Sequence, residues 1–192
     1  MAVYIAGNGI SRRRICLKLV NSKGVLYGCN NIYKEVTPDV LVATDDEQAH
    51  LIQDLGYAHH REFYTRSPYA DKGAKKLKAP YSNWSSGPNA VQLAVMHGHT
   101  HLYLFGFDFG SANDKFNNVY AGHELYKTKD DPPTYGGNWY NQIRTVMIHN
   151  PNVQFTVVTG PETAIMYSEP LNELENVEII SVDEFLIHIN NV

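Results

Sequence analysis

The stretch SSGPNAVQLAVMHGHTHLYLFGFDF, residues 85–109, contains the two clearest structural elements of the sequence. It opens with Ser85-Ser86-Gly87-Pro88, where the proline suits the first turn of a helix, and apolar residues fill the next turns as far as Gly98. An apolar run then covers residues 101–106 and breaks into Phe107-Asp108-Phe109, which is typical of a buried strand in a parallel sheet. The stretch therefore predicts a helix followed by a central strand.

Segments of the same two kinds alternate along the rest of the chain. Short apolar runs that predict strands lie at residues 3–6, 25–29, 40–43, 62–65, 153–159 and 177–180. Patterns that predict helices lie at residues 11–20, with Ser11 as the N-cap, and at 47–55, 139–149 and 183–189. Such alternation implies parallel strands joined by right-handed crossovers. The sequence therefore predicts an α/β fold with a Rossmann-like, mostly parallel sheet and helices on both faces.

The bulk properties favour one soluble domain over residues 1–192. Of the 192 residues 43% are hydrophobic, enough for a sizeable core. The net charge of -4 gives no general attraction to nucleic acid or to acidic membranes. No apolar run approaches the roughly 20 residues of a membrane span, and the first residues do not resemble a signal peptide. We therefore expect a cytoplasmic protein with neither a membrane span nor a nucleic-acid partner.

The cysteine content excludes a disulfide framework. Only Cys16 and Cys29 are present. One bridge between them is compatible with the sequence, but two thiols in a reducing compartment are the simpler interpretation.

Two segments lack the apolar pattern of regular elements and are predicted to be loops. Residues 66–83 carry five basic side chains against one acidic side chain, Asp71, which predicts a mobile basic loop or lid. Residues 111–138 are polar and rich in tyrosine. Because they follow the predicted central strand, we expect them to form an active-site loop region.

Ligands of parallel sheets bind beyond the carboxyl ends of the strands, and the first of these ends reads Gly7-Asn8-Gly9-Ile10-Ser11. Two glycines let the backbone turn sharply and approach a phosphate or a sugar closely. The third glycine of the dinucleotide-binding fingerprint is missing. The following residues, Arg12-Arg13-Arg14, lie where a helix dipole disfavours cations, which either a bound phosphate or plain solvent would relieve. We predict that Gly7, Asn8, Gly9 and Ser11 contact a nucleotide.

Polar residues also stand at three other predicted element ends. Asn30 offers a donor and an acceptor on a short stem, which suits a base or a ribose but also any turn. Ser85, Ser86 and Gly87 open the strongest helix with hydroxyls and free amides that bind anions. Asp108, a candidate catalytic residue, ends the central strand, where it either accepts a hydrogen bond from a hydroxyl or orients a loop.

Metal-binding patterns find no support in the sequence. In Thr44-Asp45-Asp46 a helix cap is the favoured role, and a metal site is the alternative. His97, His99 and His101 straddle a helix end, a glycine and a strand start, so we expect their rings to diverge and their roles to be structural. No C-x-x-C, H-E-x-x-H or G-x-S-x-G motif occurs. We predict no metal ligand.

Several of these stretches, taken in order, resemble the bacterial sialyltransferases of the Campylobacter lipooligosaccharide type. The stretches that carry the resemblance are residues 5–11, Cys29-Asn30-Asn31-Ile32-Tyr33, Ser85-Ser86-Gly87 with its helix, residues 102–109 and Tyr120-Ala121-Gly122-His123. A wider group of phage and bacterial proteins, sialyltransferase-like or pterin-pyrophosphokinase-like, shares the first stretch and the G-x-D-F strand end.

The resemblance implies a Rossmann-like enzyme that transfers a sugar from CMP-sialic acid to a hydroxyl acceptor and needs neither a cofactor nor a metal. His123 would be the general base, since an imidazole with a pKa near ~6.5 suits this role. Because the related enzymes associate, a homo-oligomer is expected. The residues that would contact the nucleotide-sugar are Asn8, Asn30, Ser85, Ser86 and Gly87.

Two positions depart from the family pattern. Asn83 stands where the family has an arginine, and Gly110 stands where it has a phosphate-binding tyrosine. The family uses tyrosines to stabilise the charge of the leaving phosphate. Tyr120, Tyr126 and Tyr135 are the candidates to replace the missing one.

Three functional hypotheses follow from the sequence. The leading one is a glycosyltransferase-like enzyme that uses a nucleotide-activated donor and a hydroxyl acceptor. The second is a pyrophosphokinase-like or other nucleotide-dependent transferase, which needs a divalent ion and would use Asp45, Asp46 or Asp108. The third is a non-catalytic nucleotide-binding or assembly protein, because the fold alone does not determine function.

Overall fold

The computed structural model describes residues 2–78 and 83–192. Its strands are β1 (Ala2–Ala6), β2 (Gly24–Cys29), β3 (Val40–Val42), β4 (Glu62–Thr65), β5 (Lys75–Lys76), β6 (His101–Phe105), β7 (Gln154–Thr159) and β8 (Val177–Ser181). Its α-helices are α1 (Leu17–Lys23), α2 (Asp46–Asp54), α3 (Ser86–Met96), α4 (Gly137–His149), α5 (Ile165–Ser168) and α6 (Val182–Asn191). Short 3-10 helices at Ile10–Arg14, Asn30–Lys34, Tyr57–His59 and Glu169–Glu173 lie in the connections.

The eight strands of the described residues form one sheet, in the order β5-β4-β3-β2-β1-β6-β7-β8, and all neighbouring strands are parallel. β1 is central, since Ala6 aligns with Gly28 of β2 on one side and with Phe105 of β6 on the other. The chain builds the sheet outward from β1 as far as β5, then returns to β6 and continues in the opposite direction. This topology confirms the predicted α/β, Rossmann-like single domain.

Buried side chains form a hydrophobic core on each face of the sheet. Successive residues of β1 point to opposite faces, so that Tyr4 joins one core and Ile5 the other. On the first face α1, α2 and α6 supply the cover, and the rings of Phe185 and Phe105 stack with their centroids 5.6 Å apart. On the second face α3 and α4 supply it, with Val91 fully buried. Helices therefore cover both faces, as predicted.

The helix predicted at residues 11–20 is two separate elements. Ser11 lies inside the 3-10 helix Ile10–Arg14 and caps nothing, and α1 begins only at Leu17. The expectation that Ser11 is an N-cap is therefore wrong. The physical reason is that its backbone N–H is already bonded to the side chain of Asp108, which holds this turn against the end of β6.

The predicted basic loop at residues 66–83 contains a short strand. β5 pairs with β4 at the sheet edge, and the following Leu77 is buried. Sequence reasoning missed this strand because two adjacent lysines carry no apolar pattern. Residues 79–82 of the predicted loop lie outside the described residues, and the mobility of the segment stays a prediction.

The structure also bears on two expectations from the sequence, the state of the two cysteines and the presence of a membrane span. Both cysteines are free: Cys16 is exposed, and Cys29 is buried. Burial raises the pKa of the Cys29 thiol to about 12. Over residues 2–78 and 83–192 no helix is long and apolar enough to cross a membrane.

Candidate functional site

A cleft of about 780 Å³ opens beyond the carboxyl ends of the central strands. The strand order reverses between β1 and β6, and this crossover is where open parallel sheets bind ligands. Gly7, Asn8 and Gly9, which follow β1, line the cleft together with the turn Gly106–Asp108 that follows β6. The volume lies within the range of small-molecule sites.

The glycines after β1 are needed for contact between the two strand-end loops. The N–H of Gly7 donates to the carbonyl of Phe105, and the N–H of Gly9 donates to that of Gly106, both at 2.8 Å. A Cβ atom on Gly7 or on Gly9 would lie closer than 3.0 Å to atoms of Gly106 or Asp108. The close packing of the two loops therefore requires glycine at both positions.

Asp108 fastens three loops at the base of the cleft. Its carboxylate accepts from the backbone N–H of Ser11 at 3.0 Å and from the hydroxyl of Thr163 at 3.1 Å. Its carbonyl accepts from the N–H of Ala164 at 2.8 Å. Asp108 is buried and lines the cleft, whereas Ser11 lies behind it and does not. Two roles were predicted for Asp108. The hydrogen bonds show that it orients loops, and its catalytic role stays a prediction.

Two residues that were predicted to contact a ligand, Asn8 and Ser86, use their side chains for hydrogen bonds within the protein. The amide of Asn8 donates to the carbonyl of Cys29 at 3.0 Å and accepts from Arg12 at 3.4 Å. The hydroxyl of Ser86 accepts from the N–H of Thr44 at 3.0 Å and donates to the side-chain oxygen of Asn30 at 3.1 Å. These residues therefore hold the ends of neighbouring strands together around the cleft.

Three other groups on the cleft wall remain available to a ligand. The side-chain NH₂ of Asn30 and the backbone N–H of Gly87 have no acceptor in the part of the chain that the structure describes. The hydroxyl of Ser85 accepts from the indole N–H of Trp139 at 2.9 Å, which leaves its own proton to donate. All three residues line the cleft. The wall therefore offers unpaired donors near the start of α3.

Charged side chains line the cleft beyond β3 and β4. Asp45, Asp46 and Glu47 come from the start of α2, and Arg66 follows β4. Asp46 accepts from Ser67, while the Asp45 carboxylate caps nothing and has no hydrogen-bond or ion-pair partner among residues 2–78 and 83–192. No group of three His, Cys, Asp or Glu side chains suited to a metal occurs in those same ranges.

The structure separates the three candidate tyrosines. Tyr126 and Tyr135 line the cleft, and so do the two departing positions, Asn83 and Gly110. Tyr120 lies beneath the cleft, where burial raises its pKa. Burial also raises the pKa of Tyr126, and a contact of its hydroxyl with the backbone of Asn31 opposes that rise. Sequence reasoning could not decide between them because all three lie in one irregular segment.

His123 does not line the cleft. Its side chain is exposed, and its ring packs edge-on against Tyr120 with the centroids 5.8 Å apart. The nearby residues Tyr126 and Lys127 do line the cleft. None of Arg12, Arg13 and Arg14 lines it either.

The sequence led us to expect that the rings of the three histidines near the start of β6 diverge, and this expectation is wrong for two of them. The hydroxyl of Tyr27 lies 2.7 Å from Nδ1 of His97 and 3.2 Å from Nε2 of His99. Only His101 turns to the other side, where its Nε2 lies 3.0 Å from the hydroxyl of Thr156. Because Tyr27 is fully buried, its hydroxyl needs such partners. None of these histidines lines the cleft, which agrees with a structural role.

The fold and the cleft define a Rossmann-like α/β protein with an open cleft at the crossover of its parallel sheet. Comparison of the chain with models of protein families, with curated proteins and with solved structures gives no match. The chemistry of the cleft therefore has to be argued from its own residues.

Proposed function

We propose that the protein binds a nucleotide-activated sugar in the cleft and transfers the sugar to a hydroxyl acceptor without a metal. The observation that supports this most directly is the set of unpaired donors on Asn30, Ser85 and Gly87 at the crossover of the sheet. The sequence resemblance to sialyltransferases supplies the donor class, a CMP-sugar.

The donor phosphate would lie at the start of α3. The first-turn N–H groups of a helix carry the positive end of its dipole and favour an anion. Gly87 provides such an N–H, and Ser85 beside it provides a hydroxyl. A Cβ on Gly87 would come within 2.9 Å of the Phe107 ring, so this part of the wall requires glycine.

The transfer step exchanges one C–O bond for another. The acceptor oxygen forms a bond to the anomeric carbon of the sugar while the bond from that carbon to the phosphate oxygen breaks. The nucleoside monophosphate leaves with the electron pair, and the acceptor proton passes to a base. Tyr126, Tyr135 and Lys127 line the cleft and would stabilise the negative charge of the departing phosphate.

We assign the base to Asp45. Its carboxylate lies on the cleft wall and has no hydrogen-bond or ion-pair partner among the described residues, so it is available to accept a proton. His123, which the resemblance implies, is exposed and outside the cleft. Transfer by wild type, Asp45→Asn and His123→Ala distinguishes the two assignments.

The first experiment is calorimetric titration of the protein with CMP, cytidine, UMP and AMP, each with EDTA and with Mg²⁺. We expect CMP to bind equally well in both conditions and more tightly than cytidine, because the phosphate meets the start of α3. Release of CMP from CMP-sialic acid, with and without simple saccharide acceptors, then tests the reaction. Binding of none of these nucleotides would overturn the proposal.

A second candidate function uses the same cleft with a divalent ion. The consecutive residues Asp45, Asp46 and Glu47 line it, and carboxylates suit Mg²⁺, although among the described residues they do not form a three-ligand group. A pyrophosphokinase-like transferase would bind ATP only with Mg²⁺, so a further titration with ATP, once with EDTA and once with Mg²⁺, separates it from metal-free transfer to a hydroxyl.

A further inference from the structure

The side chain of Arg12 is a buried cation directly beneath the cleft. It is 3% exposed, and its Nη2 lies 2.8 Å from a carboxylate oxygen of Glu35. The same nitrogen donates to the hydroxyl of Tyr120 at 3.0 Å and to the side-chain oxygen of Asn8 at 3.4 Å. The guanidinium also lies over the Tyr120 ring, 5.5 Å from its centroid.

Arg12, Glu35 and Tyr120 form one hydrogen-bonded unit. The hydroxyl of Tyr120 donates to the same carboxylate of Glu35 that accepts from Arg12. Burial alone would raise the pKa of Glu35, but hydrogen bonds from Arg12 and Tyr120 and the charge of Arg12 outweigh it and hold that pKa below its ordinary value. Glu35 is therefore the counter-ion of Arg12, and a buried cation left without one is costly.

The unit joins three segments that are distant in sequence. Arg12 belongs to the connection after β1, Glu35 to the connection after β2, and Tyr120 to the tyrosine-rich loop region. Two further hydrogen bonds link the tyrosine-rich loop region to the connection after β1. The N–H of Val119 donates to the carbonyl of Asn8 at 2.8 Å, and the side chain of Asn117 accepts from the N–H of Ile10 at 2.8 Å.

Residues on both sides of Tyr120 line the cleft. Phe116, Asn117 and Asn118 do so before it, and Leu125, Tyr126 and Lys127 do so after it. Tyr120 itself is buried and does not line the cleft. Residues 116–127 thus form one wall of the cleft, with Tyr120 attached to the strand-end loops below.

We propose that Arg12, Glu35 and Tyr120 are positioning residues that hold residues 116–127 in place as a wall of the cleft and thereby set its affinity for ligand. The identity of the ligand, a CMP-containing molecule, rests on the proposed function. The positioning itself does not, and it is measurable in the free protein.

The central variant is Tyr120→Phe, which removes the hydroxyl from Arg12 and Glu35 but keeps the buried ring. The matched control is Tyr33→Phe. Tyr33 also packs against another tyrosine, Tyr57, with ring centroids 5.5 Å apart, but its hydroxyl has no partner in the described ranges, and it does not line the cleft. Glu35→Gln is the second variant, because it keeps the shape of the side chain and removes the counter-ion charge.

Amide hydrogen exchange reports on the wall directly, because local opening governs exchange. We expect residues 116–127 to exchange about tenfold faster in Tyr120→Phe and Glu35→Gln than in wild type, since a hydrogen bond to a charged group is lost. Exchange in β1 and β6 should not change. The Tyr33→Phe control should match wild type throughout. In titrations with CMP we expect a dissociation constant at least about threefold higher for both variants.

Each result decides the proposal. Unchanged exchange in residues 116–127 overturns it, and so does faster exchange spread evenly over the sheet, which would make the unit part of the general core. Faster exchange of the wall with unchanged CMP affinity overturns the link between positioning and binding. If wild type binds no CMP, the proposed function fails while the exchange measurement still decides whether the unit holds the wall.

Discussion

The backbone N–H of Ser11 and the carboxylate of Asp108 are joined by a hydrogen bond of 3.0 Å across the end of the central strand pair. The second oxygen of that carboxylate accepts from Thr163, so the end of β6 is connected to the loops after β1 and β7. Asp108, which the sequence marks as a candidate for chemistry, thus holds the base of the cleft together.

Asp108→Asn should destabilise the protein. One carboxylate oxygen becomes an NH₂ group that faces a donor, and a buried polar group left without its partner costs about 1–3 kcal/mol. Asp71→Asn is the control, because Asp71 is exposed, and surface changes stay within about 0.5 kcal/mol. Urea unfolding of the three proteins measures the difference. Equal stability of Asp108→Asn and wild type would leave Asp108 free for chemistry instead.

Gly9→Ala should destabilise by steric conflict alone. Gly9 has φ of -65°, which any residue adopts, but its new Cβ would lie closer than 3.0 Å to Asp108 and to the carbonyl of Gly106. Overpacking of this kind costs about 1–3 kcal/mol. In contrast, Gly98 has φ of +86° and open space around it, so Gly98→Asn should cost about 1 kcal/mol or less. Thermal unfolding compares the two, and a tolerated Gly9→Ala would mean that the loops are not closely packed.

Asn30→Gly should weaken CMP binding about three- to tenfold, because it removes an unpaired donor from the cleft wall. Glycine suits the backbone here, since Asn30 has φ of 53°. Asp114→Gly is the matched control: Asp114 has φ of 58° and is exposed and outside the cleft. Calorimetric titration gives both affinities. Equal losses in the two variants would show that the Asn30 amide does not contact the ligand.

Asp45→Asn should reduce the rate of sugar transfer at least about 100-fold, as expected on removal of a general base. His123→Ala should retain the rate within about threefold, because its side chain lies outside the cleft. The kcat values for transfer from CMP-sialic acid decide between them. The opposite pattern would return the base to His123 and require residues 116–127 to move on binding.

Stability should fall on mild acidification. Partial desolvation of their rings lowers the pKa of both His99 and His101 in the folded protein. The unfolded chain therefore binds protons first, so stability is complete above the ordinary histidine pKa of about 6.5 and declines as the pH falls below it. Urea unfolding at pH 7.5, 6.0 and 5.0 should show this decline, and a double variant, His99→Gln with His101→Gln, should flatten it. An identical decline in the double variant would assign the effect to other groups.

The sequence predicts seven of the eight strands of the described sheet and misses one edge strand, β5. Apolar runs predict β1, β2, β3, β4, β6, β7 and β8, because a strand buried on both faces must be apolar throughout. β5 escapes this reasoning, since it lies at the edge with its lysines exposed. The same limit explains the 3-10 turn at Ser11, whose geometry depends on an aspartate that lies 97 positions further along the chain.

The candidate site, like the sheet, could be predicted from the sequence only in part. Strand ends predict that Gly7, Asn30 and Ser85 lie near one another, and all three line the cleft. Which groups are free cannot be read from residue types, because Asn8 and Ser86 form hydrogen bonds with distant segments, at Cys29 and Thr44. The packing of residues 111–138 is set by long-range contacts and by no periodic pattern.

β5 also bears on how copies of the protein could associate. An unpaired strand at a sheet edge is a template for another strand, and exposed lysines discourage that pairing. β5 is two residues long and consists of the exposed Lys75 and Lys76, whereas β8, the other edge of the described sheet, offers five residues, Val177–Ser181. A homodimer that extends the sheet would therefore join two copies of β8. The lysine edge formed by β5 would then lie at each of the two outer ends of the assembly.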